Sequence, residues 1–201
     1  MRTQIAVALC SAVLGFVVPS SLAVAQQKTA KAPATPTTLG TGSGKTTSDR
    51  QVYSSIKDLM ESIIDPSADI LWGAVGIVVD EEGVHESLPK TPEEWLDLRR
   101  AAVRIIEGAN LLMMPGREAA PVGTKSETPG VELEPAEITV LIKKKRKSFD
   151  AFAKALRVLG LEALRATDAK NAALLMEVGG RMQDLCESCH KTFWYPNEKQ
   201  P

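Results

Sequence analysis

The stretch AALLMEVGGRMQDLCESCH at positions 172–190 decides the fold, because apolar residues recur in it every three or four positions. This spacing gathers apolar side chains on one face of an α-helix and leaves polar ones on the other. Thr167 or Asp168 is the expected N-cap, since either side chain can accept a hydrogen bond from an amide of the first turn. We therefore predict a helix that buries one stripe. The stripe comprises Leu174, Leu175, Val178, Met182, Leu185 and Cys189.

The same periodicity predicts two more helices nearer the N-terminus. The pair Asp65-Pro66 interrupts or kinks the first of them, because proline lacks the amide hydrogen that a helix interior uses. The second begins at the capping box Thr-Pro-Glu-Glu at 91–94 and ends at Pro115-Gly116. Between the two, the acidic and glycine-containing residues 77–87 predict an irregular connection. The first stripe comprises Val52, Ile56, Leu59, Met60, Ile63 and Ile64, and the second Trp95, Leu98, Ala102, Ile105, Ile106, Ala109 and Leu112.

A further helix is predicted over 138–159, with Gly160 closing it. It follows a long polar loop, 117–134, of a kind that is often functional, although no chemistry is legible in its residues. Strand-like alternation appears nowhere over a useful length. Four amphipathic helices bury their stripes most economically against one another, so the predicted fold class is all-α, an antiparallel four-helix bundle.

The composition fits a single small globular domain. The chain has 201 residues, of which 44% are apolar and 24% charged, so it can bury one core. A formal net charge of −1 argues against nucleic-acid binding, which needs a strongly basic surface. Beyond the N-terminus there is no apolar run of about 20 residues, which argues against a multispan membrane protein. We assign the helical domain to residues 50–201.

The N-terminus has the features of an export signal. Arg2 gives a basic start, the stretch 5–18 is apolar, and Ala-Val-Ala at 23–25 offers the small residues that a signal peptidase accepts. We expect residues 1–25 to be a signal peptide and the mature protein to be periplasmic, with a retained membrane anchor as the alternative. Residues 26–49, rich in Pro, Thr, Gly and Ser, are predicted to form a disordered tail or linker.

The sequence Cys-Glu-Ser-Cys-His at 186–190 is the strongest motif in the chain. Cys-x-x-Cys-His is the signature of c-type haem attachment, in which each thiol adds across a vinyl group and the histidine ligates the iron. On a helix, Cys186, Cys189 and His190 project from neighbouring positions of one face, where they can hold one porphyrin edge and its iron. Structural zinc, with His85 as a distant fourth ligand, and a thioredoxin-like redox pair are the alternatives. Haem c is the expected cofactor.

The position of this motif resembles that in the cytochrome c prime family, the class II c-type cytochromes. In that family Cys-x-x-Cys-His stands at the C-terminal end of the last of four helices in an exported chain. The resemblance covers 50–195 in architecture, and its specific part is 186–193 together with 56–61. It implies a four-helix bundle with haem between the helix ends, Cys186 and Cys189 as thioether anchors, and His190 as the proximal ligand. Members commonly carry an aromatic residue and then arginine after the motif, whereas this chain has Phe193 followed by Trp194.

A sixth iron ligand is expected from the start of the first helix, which lies level with the end of the last helix in an up-down bundle. Met60 is the predicted ligand, and some low-spin members of the resembled family use a methionine of helix one. The alternative is that Met60 only fills the core, as methionines often do. Met113 and Met114, at the end of the second helix, are further candidates by the same argument, and His85 is a remote one.

We expect an electron carrier and not an enzyme, with iron cycling between ferric and ferrous states. The alternative is a five-coordinate haem protein that binds a small gas such as NO or CO. A peroxidase is disfavoured, because only His85 is left for acid-base work on the distal side. The expected partner is a redox protein, with no nucleic acid and no stable membrane insertion after signal cleavage. Bundles of the resembled family often pair through helix faces, which leaves a homodimer open.

The run Lys-Lys-Lys-Arg-Lys at 143–147 is the other conspicuous cluster. Such runs most often form a solvated helix face. The alternatives are a docking patch for an acidic redox partner, or contacts with the haem propionates. The aromatic residues Phe193, Trp194 and Tyr195 are expected to pack over the haem edge or into the core.

Overall fold

The computed structural model describes residues 51–196, and helices make up 66% of them, which confirms a mainly helical chain. The predicted signal peptide (1–25) and tail (26–49) lie outside the described residues. A sheet of two antiparallel strands accompanies the helices, although the sequence predicts none. None of the helices in this part of the chain combines the length and the apolar character that a membrane crossing demands.

Helix α1 consists of three segments that follow one another without a break: an α-helix over Ile56–Leu59, a π-helical turn over Met60–Ile64 and an α-helix over Asp65–Gly73. Ser55 begins it with a capping box. The expected interruption at Pro66 does not end the helix. A proline lacks the amide hydrogen and crowds the carbonyl group four residues before it. The wider π turn directly before Pro66 gives that carbonyl more room, so the helix continues.

The prediction of an irregular connection over 77–87 is wrong, because these residues belong to a hairpin. Strand β1 (Gly76–Asp80) pairs with β2 (Gly83–Ser87) in antiparallel register. The apolar side chains of Ile77 and Val84 are 58% and 71% exposed. Because these residues face solvent and not a core, the sequence does not show the alternation that normally reveals strands.

Helix α2 spans Pro92–Leu112, in agreement with the prediction. Its capping box is present: the Thr91 hydroxyl accepts a hydrogen bond from the amide of Glu94 at 3.2 Å, and the Glu94 carboxylate accepts one from the amide of Thr91 at 2.9 Å. The helix ends shortly before Gly116, which adopts a left-handed φ of 87°. Both predicted ends are therefore confirmed.

The helix predicted over 138–159 is two helices in the structure, α3 (Pro135–Lys144) and α4 (Arg146–Asp168). They part at Lys145, whose ψ of 34° leaves the helical region. The next residue, Arg146, donates a hydrogen bond from Nη2 to the carbonyl oxygen of Met113 at 2.7 Å. The start of α4 is thereby tied to the end of α2.

The expected helix terminator Gly160 lies inside α4, so this prediction is also wrong. A Cβ atom on Gly160 would lie 2.9 Å from Cγ1 of Ile106 and 3.3 Å from the backbone nitrogen of the same residue. The glycine therefore allows α4 and α2 to approach closely. A glycine at a helix crossing and a glycine after a helix end look alike in one sequence.

Helix α5 spans Ala172–Phe193, but neither predicted N-cap is used. The side chain of Asn171 caps the helix and accepts a hydrogen bond from the amide of Leu174 at 3.0 Å. Thr167 is buried and donates its hydroxyl to a carbonyl of α4, and Asp168 pairs with Arg99 at 2.8 Å. Because α4 continues through both residues, neither side chain is placed to cap α5.

Neighbouring helices run antiparallel. The start of α2 meets the end of α4 at the Arg99–Asp168 ion pair, and the end of α2 meets the start of α4 at Arg146. The start of α4 in turn meets the end of α5, where the rings of Phe149 and Phe193 lie 5.6 Å apart. The core lies between these helices, and its most completely buried large side chains are Leu71, Ile105, Leu175, Val178 and Met182.

Candidate functional site

The residues of the predicted site lie on the last two turns of α5. Both Cys186 and Cys189 are free thiols and half-buried, and His190 is half-buried beside them. The cysteines follow the fully buried Met182 at intervals of four and seven residues, which are the intervals of one helix face. The thiols therefore continue the seam by which α5 packs into the core.

Burial raises the pKa of both thiols. The pKa of Cys186 rises to about 11, first because of desolvation and second because of the negative charge of Asp65. The pKa of Cys189 rises to about 12, mainly through desolvation and to a lesser degree through Cys186. Both sulfurs are thus held as neutral thiols near neutral pH.

The imidazole of His190 is kept in its neutral form by burial, which lowers its pKa although Glu187 and Asp65 act in the opposite direction. Neutral imidazole is the form that binds metal ions. The ring packs edge-on against Trp194 with centroids 5.1 Å apart, and Tyr195 lies 6.1 Å away. An aromatic turn therefore covers part of the ring.

The chain after the motif is tied down at several points. Phe193 is buried against Phe149, as the core alternative in the sequence predicts. The amide of Trp194 donates to the carbonyl oxygen of His190 at 2.7 Å, and the carbonyl of Trp194 accepts from the amide of Leu133 at 2.9 Å. The Tyr195 hydroxyl donates to a carboxylate oxygen of Glu187, inside the motif, at 2.7 Å. These bonds fix the backbone around His190.

Helix α1 runs beside the motif in antiparallel orientation. Near its end, the indole nitrogen of Trp72 donates to the carbonyl oxygen of Gly179 at 3.0 Å. Seven residues back along α1 is Asp65 and seven residues forward along α5 is Cys186, and the charge of Asp65 raises the pKa of Cys186. Continuing the same register brings the π turn of α1 level with His190. Met60, the predicted sixth ligand, is the first residue of that turn and is half-buried against the core.

The other candidate ligands lie at the end of α2 and on the hairpin. Met113 is half-buried at the end of α2, and the sulfur of Met114 accepts a weak contact from Nη2 of Arg117 at 3.9 Å. His85 is exposed on β2, which follows the end of α1 that packs on Gly179. Within residues 51–196, no three His, Cys, Asp or Glu side chains are grouped as metal ligands.

The basic run 143–147 is not one uniform surface. Lys143 pairs with Glu118 at 2.8 Å. Arg146 pairs with Asp150 at 2.9 Å and lies over the ring of Phe149, in addition to its bond to α2. The remaining lysines of the run, at 144, 145 and 147, are exposed. The prediction of a solvated face therefore applies to the lysines and not to the arginine.

Sequence reasoning missed Arg117, which the structure buries near the start of α1. Its Nη1 donates to the carbonyl and hydroxyl oxygens of Ser54, and its side chain is 6% exposed. The backbone that follows it is also held, because Ile56 donates its amide to the carbonyl of Glu118 at 2.9 Å. No periodicity marks an arginine in a loop as buried, so the sequence carries no signal for this contact.

A shallow open hollow lies between α4 and α5; among the residues lining it are Val158, Leu159, Asp184 and Ser188, the last of which lies between the two cysteines of the motif. No family model matches the chain, and no curated protein or solved structure was found to be similar to it.

Proposed function

We propose that this protein is an exported c-type cytochrome that carries one covalently bound haem and transfers electrons. The observation that carries the proposal is the grouping of two free thiols and one neutral imidazole within two turns of α5, on the face that packs into the molecule. Cys-x-x-Cys-His supplies two thioether anchors and one iron ligand in c-type cytochromes. The same three residues have those roles here.

The residues around the motif fit a porphyrin. Half-buried apolar side chains from three elements pack against the same core as the two cysteines: Met60 and Ile63 of α1, Ile138 and Leu141 of α3, and Leu185 of α5 itself. Such side chains can cover the apolar faces of a flat macrocycle and limit the access of water to it.

The antiparallel contacts among α1, α2, α4 and α5 support the further proposal that these helices form a four-helix bundle of the cytochrome c prime type. Ser67 of α1 accepts a hydrogen bond from Nε of Arg104 of α2 at 2.9 Å, and Glu162 of α4 pairs with Arg181 of α5 at 2.8 Å. Each contact joins neighbouring helices of that plan. The hairpin and α3 are additions to it.

Each site residue has a defined task in this proposal. Cys186 and Cys189 hold the group to α5 by thioether bonds, and His190 offers a neutral ring nitrogen to the iron. The aromatic turn at Trp194 and Tyr195 restricts the orientation of the imidazole. Met60 is the sixth ligand. When bound, the haem supplies an iron that carries one electron by changing between its ferric and ferrous states.

Export to the periplasm is part of the proposal, because c-type haem is attached outside the cytoplasm. The partner is a redox protein, and the exposed lysines at 144, 145 and 147 offer a positive surface that would steer an acidic partner towards the complex.

The test is to express the whole chain with an intact export signal in a host that matures c-type cytochromes, and to measure the mass of the product under denaturing conditions. We expect one covalent haem and loss of residues 1–25. Cys186→Ser combined with Cys189→Ser abolishes covalent attachment, whereas Cys10→Ser, within the predicted signal, does not. A colourless wild-type protein with two thiols that can be alkylated would refute the proposal.

The spectrum of the reduced protein separates electron carrier from gas binder. Sharp low-spin bands indicate two axial ligands, and broad high-spin bands indicate an open position where a small gas such as NO or CO binds. We expect low-spin bands in the wild type and high-spin bands in Met60→Ala.

A further inference from the structure

The π-helical turn Met60–Ile64 controls which side chains of α1 face the rest of the molecule. At its end, the amide of Asp65 donates to the carbonyl oxygen of Met60, five residues back, where an α-helix would use Glu61. The turn therefore contains one residue more than an α-helical turn. Every residue before it is rotated by about one helical position, or roughly 100°.

The burial of α1 shows the effect of this rotation. From Leu71 back to Ile64, buried residues recur at α-helical intervals. Continued upstream without the π turn, the same intervals would bring Met60 to the buried position, now taken by Leu59, and Glu61 to the half-buried position beside it, with Lys57 also turned towards the core. In the structure Leu59 is buried and Met60 is half-buried instead.

The charged residues are kept on the outside by the same rotation. Lys57 and Glu61 form an ion pair of 2.9 Å, and the Glu61 side chain is 60% exposed. Lys57 also reaches Glu127 at 2.7 Å. An inward Glu61 would place a carboxylate next to half-buried apolar side chains, where loss of hydration disfavours its charged form.

The turn is held by contacts that do not involve the motif. Pro66 removes the amide that would complete an α-helical bond to Ser62, and the buried hydroxyl of Ser67 donates to the carbonyl of Ile63 at 2.5 Å. Gly108 of α2 makes room on the other side, because a Cβ there would lie 2.7 Å from Cγ1 of Ile64.

We propose that this π turn is the positioning device that presents Met60, and not Glu61, to the last helix at the level of His190. The inference rests on the proposed function, in which Met60 is the sixth ligand. The choice matters chemically, because a thioether is a soft ligand that suits ferrous haem iron, whereas a carboxylate is a hard one.

The experiment transposes the methionine by one position and compares optical spectra of the reduced, haem-loaded proteins. In Met60→Leu we expect loss of the sharp low-spin bands. In the double variant Met60→Leu/Glu61→Met the bands stay lost, because position 61 faces solvent. Recovery of the low-spin bands in the double variant would overturn the proposal, since it would mean that the helix presents position 61.

A deletion supplies the complementary measurement. Removing the exposed Ser62 leaves Met60 four residues before Asp65, so that an ordinary α-helix holds it in the same place, and we expect low-spin bands. Removing Asp69, an exposed residue outside the π turn, rotates Met60 by about 100° and abolishes the bands. High-spin bands in a haem-loaded Ser62 deletion would overturn the inference, and if that variant does not fold, the transposition decides alone.

The wild-type protein distinguishes the two proposals. A colourless protein refutes the cytochrome itself. A protein that carries haem but has broad high-spin bands leaves the cytochrome standing and refutes the role of the π turn.

Discussion

The two halves of helix α5 present the same face to the same neighbours and bury it differently. In the first half, Leu175, Val178 and Met182 are at most 1% exposed. In the second half, the same seam continues through Cys186 and Cys189, and both remain partly exposed until Phe193 closes the seam with 3% exposure. The buried face of the first half is fully packed into the core, whereas that of the second half is packed only in part.

This difference indicates that the cysteines of the motif occupy positions of α5 that would otherwise carry core residues, and not positions on an exposed face. A cysteine side chain is smaller than the methionine or leucine that the seam carries elsewhere, so the two cysteines fill less of the space along the seam. An apolar group attached to the two sulfurs would complete the packing. We expect the two halves to differ in unfolding free energy and in side-chain reactivity as they do in burial.

The largest effect is expected in the first half of α5, whose inward face is fully buried. Met182→Ala removes a side chain with 0% exposure, and we expect a loss of about 2–5 kcal/mol in the free energy of unfolding. Met176→Ala is the matched control, because Met176 is on the same helix and 39% exposed, and its loss should stay within about 0.5 kcal/mol. Urea denaturation measures both. Equal losses would mean that the first half is not the tightly packed one.

The second prediction concerns the thiols before haem is attached. With pKa values raised from 9.0 to about 11 and about 12, the sulfurs should react with iodoacetamide at pH 8 more slowly in the folded haem-free chain than in denaturant, roughly a hundredfold for Cys186 and roughly a thousandfold for Cys189. Because folding raises the pKa of both thiols, their contribution to folding stability is complete below about pH 9 and is lost as the pH rises through about 11 to 12, since the unfolded thiols ionise first. Equal alkylation rates in the two states would show that the motif half is open to water.

The third prediction compares two glycines of identical chemistry. Gly160→Ala places a methyl group against the backbone of α2, so we expect a loss of about 1–3 kcal/mol in unfolding free energy. Gly180, in the first half of α5, is exposed and has no atom within 4 Å of the place that a methyl group would take, so Gly180→Ala should gain about 0.5–1 kcal/mol. Denaturation at neutral pH gives both values. The same sign for both changes would contradict the packing described at the crossing of α2 and α4.

The sequence predicts what periodicity and caps encode. The apolar stripe of α5 and the capping box of α2 can both be predicted from the sequence, because each depends on residues a few positions apart. The π turn cannot be predicted from the sequence, since it depends on Pro66 and Ser67 of α1 together with Gly108 of the neighbouring helix α2. Gly160 and Asn171 are missed for a related reason, because competing residues nearby satisfy the same local rules.

At the candidate site, the sequence identifies the motif residues but not the contacts that surround them. The Cys-x-x-Cys-His spacing identifies the three residues in one line of sequence. Nothing in the sequence shows that Tyr195 returns to Glu187 or that Leu133 binds the carbonyl of Trp194. These contacts join segments whose relation is fixed only by the folded chain.

The smallest effect is expected at the edge of the motif half, where Tyr195→Phe removes the hydroxyl that donates to Glu187 and keeps the ring beside His190. That hydrogen bond, and then the pair with Lys191, hold the pKa of Glu187 below its ordinary value. A lowered carboxylate pKa stabilises the folded state above the unfolded pKa and ceases to do so as the pH falls.

The variant should therefore be slightly less stable than the wild type at pH 7, by less than the Gly160→Ala change, and the difference should shrink at an acid pH where Glu187 is protonated. Tyr53→Phe is the control, because Tyr53 is 89% exposed and the change should have no such pH dependence. Urea midpoints at the two pH values measure the effect. A Tyr195→Phe difference that persists unchanged at low pH would show that the hydroxyl acts on something other than the Glu187 carboxylate, and the aromatic turn would then have to be held over His190 by ring packing alone.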